Sequence, residues 1–237
     1  MDAVSPTESK PTLQRIAHPL HTIILLAAEA VMVVRAAMRA EHLRTAVDLN
    51  RVRMYERTML TEWLGFAFVL FGLWLAGSRF STVVGDRWRS VRDVGRDLGL
   101  GVAFSIVSTM VLSMLGPHHG PEDNRAVQFL LPHGAREMAL WVALSITAGI
   151  CEEALYRGYL QRQFMALTKN VPAGILLSAV AFGLAHSYQG WARATTIGVE
   201  GAMLGAMAYW RKSVRPGMIA HAWKDALAPL LMGAMKH

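Results

Sequence analysis

Residues 138–160 read MALWVALSITAGICEEALYRGYL. From Met138 to Cys151 no side chain carries a charge, and then Glu152, Glu153 and Arg157 arrive within six residues. The helical pattern continues to about Leu167, long enough to cross a bilayer, which takes ~20 predominantly apolar residues. A charged side chain at the centre of such a helix costs ~2.5–3.5 kcal/mol on insertion scales, so each one is a functional expectation by default. Glu153 and Arg157 are spaced i,i+4, so they share a face and can pair. Glu152 points about 100° away from Glu153. One acid is thus neutralised and one is left available.

The rest of the chain agrees with a membrane helix at 138–167. Its 237 residues are 53% hydrophobic and only 17% charged, with mean hydropathy +0.30. Soluble domains carry about 25% charged residues, so the composition argues against a disordered chain, a secreted mini-domain and a soluble nucleic-acid binder. The length holds about seven or eight spans with short loops. The expected fold is all-α: a polytopic membrane helical bundle of seven or eight transmembrane helices with amphipathic interfacial helices. Residues 1–15 are expected to be a flexible tail and 16–237 a single membrane domain, with no 20–50-residue repeat. Net charge is +7. It sits between apolar runs, where Lys and Arg set orientation, so no nucleic-acid partner is expected. Cys151, the one cysteine, cannot form an intrachain disulfide.

Along the chain, His18–Val34 reads as an apolar run interrupted by Glu29, which argues against a signal peptide. The Arg-rich 35–57 segment reads as an amphipathic surface helix. Trp63–Ser78 and Leu98–Pro121 read as spans, separated by a loop at 79–97 with room for an interfacial helix. Asn170 and Pro172 mark a helix start, and that helix runs to about His186. Ser187–Arg193 reads as a loop, Ala194–Trp210 as a span containing Glu200, and Pro216 as the start of a last helix ending near Met232. The 79–97, 162–169 and 211–215 loops are basic, which places them in the cytoplasm. The Arg-rich 35–57 segment then falls outside, against that rule. Arg89, Arg92, Arg96, Arg211, Lys212 and Arg215 are expected to meet anionic lipid head groups.

Three further polar groups lie on these helices. His186 ends one, with Phe182 a turn before it. His221 and Asp225, i,i+4, face one direction on the last. Measured from the turn at 167–171, Glu152 and His186 sit at the same depth, ~22 and ~21 Å at 1.5 Å per residue. His221 and Asp225 lie only ~8 and ~14 Å from Pro216, so this reading leaves helix tilt to close the gap.

The order EExxxR (Glu152–Arg157), FxxxH (Phe182–His186) and HxxxD (His221–Asp225) resembles the CAAX-protease and bacteriocin-processing family. That family is also called Abi, and its eukaryotic members are the Rce1-type prenyl endopeptidases. The motif-bearing core covers about 138–232. The resemblance implies an intramembrane glutamate endopeptidase that cleaves a membrane-associated peptide, prenylated CAAX-type or leader-type. In it, Glu152 and His186 activate water, His221 with Asp225 holds the oxyanion, and Glu153, Arg157 and Phe182 support them. It implies no cofactor. The implied partners are membrane lipids and a peptide or lipidated-protein substrate. The implied location is integral to a membrane, the plasma membrane if bacterial and the endoplasmic reticulum if eukaryotic. The family often has Asn where Asp225 stands. An ionised Asp only accepts hydrogen bonds, so Asp225 is expected to accept from His221 and hold that ring.

Other readings stay open. Glu152, His186, His221 and Asp225 are all able to bind zinc, and i,i+4 spacing suits one ion. A non-catalytic membrane scaffold or immunity protein of the same fold would keep the motifs without turnover. Glu29 and Glu200 match no motif, and interhelical hydrogen bonding is the expectation for both. Cys151 lies on a different face from Glu152, which argues against a thiol nucleophile.

Overall fold

A computed structural model describes residues 13–45, 49–115 and 128–234, and every regular element among them is helical. The elements are α1 (Pro19–Thr45), α2 (Arg51–Leu75), the short α3 (Ser81–Val84), α4 (Val91–Leu115) and α5 (Gly134–Glu152). A π-helical stretch (Glu153–Leu160) carries α5 without a break into α6 (Gln161–Thr168). Then follow α7 (Val171–Ala185), a 3-10 turn (Ser187–Gln189), α8 (Trp191–Arg211) and α9 (Arg215–Ala234). Among the described residues four helices are long and apolar enough to cross a membrane: Pro19–Ala40, Arg51–Leu75, Val91–Met114 and Gly134–Thr168. The chain is an all-α membrane bundle. With α7, α8 and α9, seven long helices are present among the described residues.

Local chemistry sets many of the boundaries. Asn50 caps α2, its side chain accepting from the Arg53 amide at 2.9 Å. Asn170 caps α7 in the same way through the Ala173 amide at 2.9 Å, with Pro172 in the first turn, as read from the sequence. The tight α6–α7 and α8–α9 turns put Lys169 and Lys212 in left-handed backbone, with φ 55° and 51°.

Several elements differ from the sequence reading. The 35–57 segment is not one surface helix: 35–45 continues α1 and Arg51 already begins α2. The apolar period on both sides is strong enough to carry the arginines as helix ends. The span read at Trp63–Ser78 therefore starts at Arg51, and the span read at Leu98 starts at Val91. The 187–193 loop shrinks to the 3-10 turn, because Trp191 already opens α8. The expected tail lies outside the described residues up to residue 12, as does part of the 117–137 connection.

α5 packs against α2 on one side and α9 on the other, α4 lies on α9, and α7 packs on α8 and on the α5–α6 helix. One end of the bundle gathers four connections. Lys169 Nζ meets Leu13 O at 3.4 Å, Ser78 Oγ donates to Ile16 O, and the Val214 amide donates to Val84 O at 3.3 Å. The core runs through Val69, Leu73, Val83, Leu155, Tyr159 and Phe182. Beside it, buried Gln163 and His21 tie α6 and the π stretch to α1 and α2. Gln163 Oε1 accepts from the Ile16 amide at 2.9 Å, and His21 spans Tyr159 Oη at 2.7 Å and Phe68 O at 2.9 Å.

Candidate active site

Three elements deliver the site: the α5–π junction, the C-terminus of α7 and the middle of α9. Glu153 and Arg157 pair as expected, Oε1 to Nη1 at 3.0 Å, and both are almost fully buried. The guanidinium lies 3.9 Å over the Phe182 ring. Neither of its terminal nitrogens has an aligned hydrogen-bond partner, so charge and the aromatic face hold it. A side chain at position 201 would not allow this, since a methyl group on Gly201 would stand 2.9 Å from Arg157 Nη2.

Phe182 organises the rest. Its ring stands edge-to-face with His186 at 4.7 Å, His221 at 5.9 Å and Tyr156 at 5.0 Å. His186 Nδ1 lies 2.9 Å from the Phe182 carbonyl. A carbonyl only accepts, so Nδ1 carries a proton, and a neutral His186 presents a bare Nε2 lone pair. That nitrogen faces Glu152 Oε2 at 3.9 Å.

His221 stands among three carboxylates. Nδ1 meets Glu153 Oε1 at 3.2 Å, while Nε2 faces Asp225 Oδ2 at 3.5 Å and Glu152 Oε2 at 3.7 Å. The structure therefore brings Glu152, His186, His221 and Asp225 together. It also adds a contact the sequence did not suggest: Glu153 holds His221 as well as Arg157. Glu152 and Glu153, read as diverging, both reach the same ring, Glu152 on its Nε2 side and Glu153 on its Nδ1 side. Gly217 permits the approach, since a methyl group there would meet Glu153 Oε2 at 2.7 Å.

The depth mismatch has a tertiary cause. Val214 bonds to the end of α3, and α3 docks through Val83 on Gly158 rather than beside the α6–α7 turn. α9 thus starts about ten residues, ~15 Å, further up the α5–α6 helix than the turn at 168.

Two residues stand near the site that sequence reasoning left out of it. Glu29 on α1 accepts from Tyr156 Oη at 3.0 Å, the interhelical bond expected of it, and also lies in the field of Glu152 and His186. Glu62 on α2 faces Glu152, His221, Asp225 and Glu29 electrostatically, and one of its oxygens is buried without a hydrogen-bond partner. The signal was present. Glu62 has no Lys or Arg at i±3 or i±4, so no cation on its own helix neutralises it. Above the site, Tyr188 stacks on His186 at 6.3 Å, and burial pushes its phenol up to about 12. Glu200, the other acid read inside a span from the sequence, makes its expected interhelical contacts, an ion pair with Lys224 and a bond from Ser108. Cys151 is buried. Among the described residues no three His, Cys, Asp or Glu side chains converge as a metal-binding group.

Residues 134–227 match the Rce1-like family, described as type II CAAX prenyl endopeptidase Rce1-like. No curated protein and no solved structure matches the chain.

Proposed function

From the match of residues 134–227 to the Rce1-like family of type II CAAX prenyl endopeptidases, we propose that this integral membrane protein hydrolyses a peptide bond of a membrane-associated peptide, with water activated by Glu152 and His186. One observation carries the reading. Glu152 Oε2 is buried without a hydrogen-bond partner, and His186 Nε2 and His221 Nε2 lie 3.9 and 3.7 Å away. Those gaps exceed a hydrogen bond and suit one bridging water. A water between Glu152 and His186 meets two acceptors, so both its hydrogens are held and a lone pair is free to attack.

As the water oxygen bonds to the scissile carbonyl carbon, one proton passes to Glu152 or His186. The carbonyl oxygen takes the electron pair. His221 donates to that oxyanion from Nε2. Its Nδ1 proton is committed to Glu153, so donation from Nε2 requires a ring holding both protons, and Glu152, Glu153 and Asp225 surround that cation. Collapse breaks the C–N bond, and the proton taken from water goes to the leaving amine. No metal enters this scheme.

The test is cleavage of a quenched fluorescent, prenylated CAAX-type peptide by the purified protein in detergent, wild type against Glu152→Gln, with and without chelator. Cleavage that disappears in Glu152→Gln and survives the chelator is the expected result. Loss with chelator and recovery with zinc would replace it with a zinc mechanism. Failure of the wild type on both CAAX-type and leader-type peptides would turn the reading to a binding scaffold.

A further inference from the structure

On the basic side of the catalytic cluster, α2, α3, α5 and α9 enclose a cavity of about 370 Å³. Its walls include Phe66, Ile146, Ile150, Met218 and Ile219, and its one charged lining residue is Arg215. Trp88 contributes only carbon, because its indole N–H is turned away to Asp97 Oδ2 at 2.8 Å. The cavity opens sideways: Ile146 is 50% exposed and Phe80 52%. In a bilayer that opening faces hydrocarbon.

Arg215 differs from its basic neighbours. Arg96 and Arg211 both lean on Asp97, at 3.7 and 3.6 Å. Arg215 has no carboxylate partner among the described residues. Its guanidinium lies over the Trp88 ring at 5.0 Å and is fixed by the carbonyls of Gly85 and Asp86. Those two bonds leave part of its five-donor fork uncommitted. Arg215 also opens α9 at the basic α8–α9 turn, three residues after Lys212. The apolar walls run from there to Ala222, about 10 Å along the helix.

We infer that this cavity is a site for one anionic phospholipid, its acyl chain lying against Ile146, Ile150 and Ile219 and its phosphate on Arg215. Charge complementarity selects the occupant. A zwitterionic lipid gains the same apolar contact but less from an uncompensated guanidinium. A bare phosphate gains nothing from the carbon walls. The site is separate from the hydrolytic machinery and does not depend on its assignment, although Ala222 and Ile150 place the chain directly behind the helices that carry His221 and Glu152.

Native mass spectrometry of the detergent-purified protein with equimolar phosphatidylglycerol and phosphatidylcholine tests it. One retained phosphatidylglycerol is expected, favoured at least about fivefold over phosphatidylcholine. Arg215→Gln should abolish the preference. Ile146→Trp fills the mouth from the lipid side without touching the Arg215 bonds, and should lower retention of both lipids. Equal retention of the two lipids by the wild type would overturn the proposal, as would an Ile146→Trp variant that still holds phosphatidylglycerol. Displacement of the lipid by glycerol phosphate would reduce the site to phosphate alone. Displacement by a farnesylated peptide would assign the cavity to a substrate. Both would overturn the acyl-chain assignment.

Discussion

The N-terminal helices and the Gly134–Thr168 helix invert the pattern of a soluble protein. α1 and α2 bury only 17% of their most apolar windows and α4 22%, whereas Gly134–Thr168 buries 44%. Yet Gly134–Thr168 is the helix with Glu153, Arg157, Gln161 and Gln163 in its interior, all at 2% exposure or less. In lipid, apolar surface needs no burial and polar groups do. The most polar stretch is therefore the most central, and the N-terminal helices form an apolar jacket that reaches the site through single acids, Glu29 and Glu62.

The largest effects belong to the central helix. Glu152→Gln should lower peptide cleavage by about 10²- to 10⁴-fold with the melting temperature unchanged; a matching drop in thermal stability would make Glu152 structural. Glu153→Gln leaves Arg157 buried without its partner and should cost about 3–5 kcal/mol in thermal unfolding. Replacing both residues, Glu153→Leu with Arg157→Met, should recover much of that stability and none of the activity. If the single variant melts like wild type, the ion pair does not organise the core.

Asp225 tests the outward-facing edge of the site. Asp225→Asn should keep activity, while Asp225→Ala should lose about 10- to 100-fold through a loosened His221. Two variants of wild-type rate would remove Asp225 from the mechanism. Across the jacket, Glu62→Leu should raise stability by about 1–3 kcal/mol, since it removes a buried unpartnered oxygen, and should reduce cleavage. A less stable, fully active variant would detach α2 from the site. Smallest of all, Leu64→Ala on the lipid-facing side of α2 should shift stability by no more than about 0.5 kcal/mol. A larger loss would show that the jacket packs more tightly than its exposure indicates.

Much of this was legible residue by residue. Asn170 with Pro172 announced α7 because capping is local. The Glu153–Arg157 pair follows from i,i+4 spacing alone. The three motifs were read in order, and the site that forms contains all of them. Part of what was missed has one cause. The level at which α9 begins and the reach of Glu62 depend on which helix lies against which.

The sequence by itself determined the all-helical class, the membrane setting and the residue types of the cluster of Glu152, His186, His221 and Asp225. Hydrophobic period and charge inside a span are properties of one segment and its solvent. The tertiary structure decided that Glu152 and Glu153 share His221, that Glu62 faces them from another helix, and that α3 lifts α9 to their depth. The first rests on α5 packing against α9 and the last on Val83 docking against Gly158. Both are packing results between segments far apart in the chain, and no local spacing encodes them.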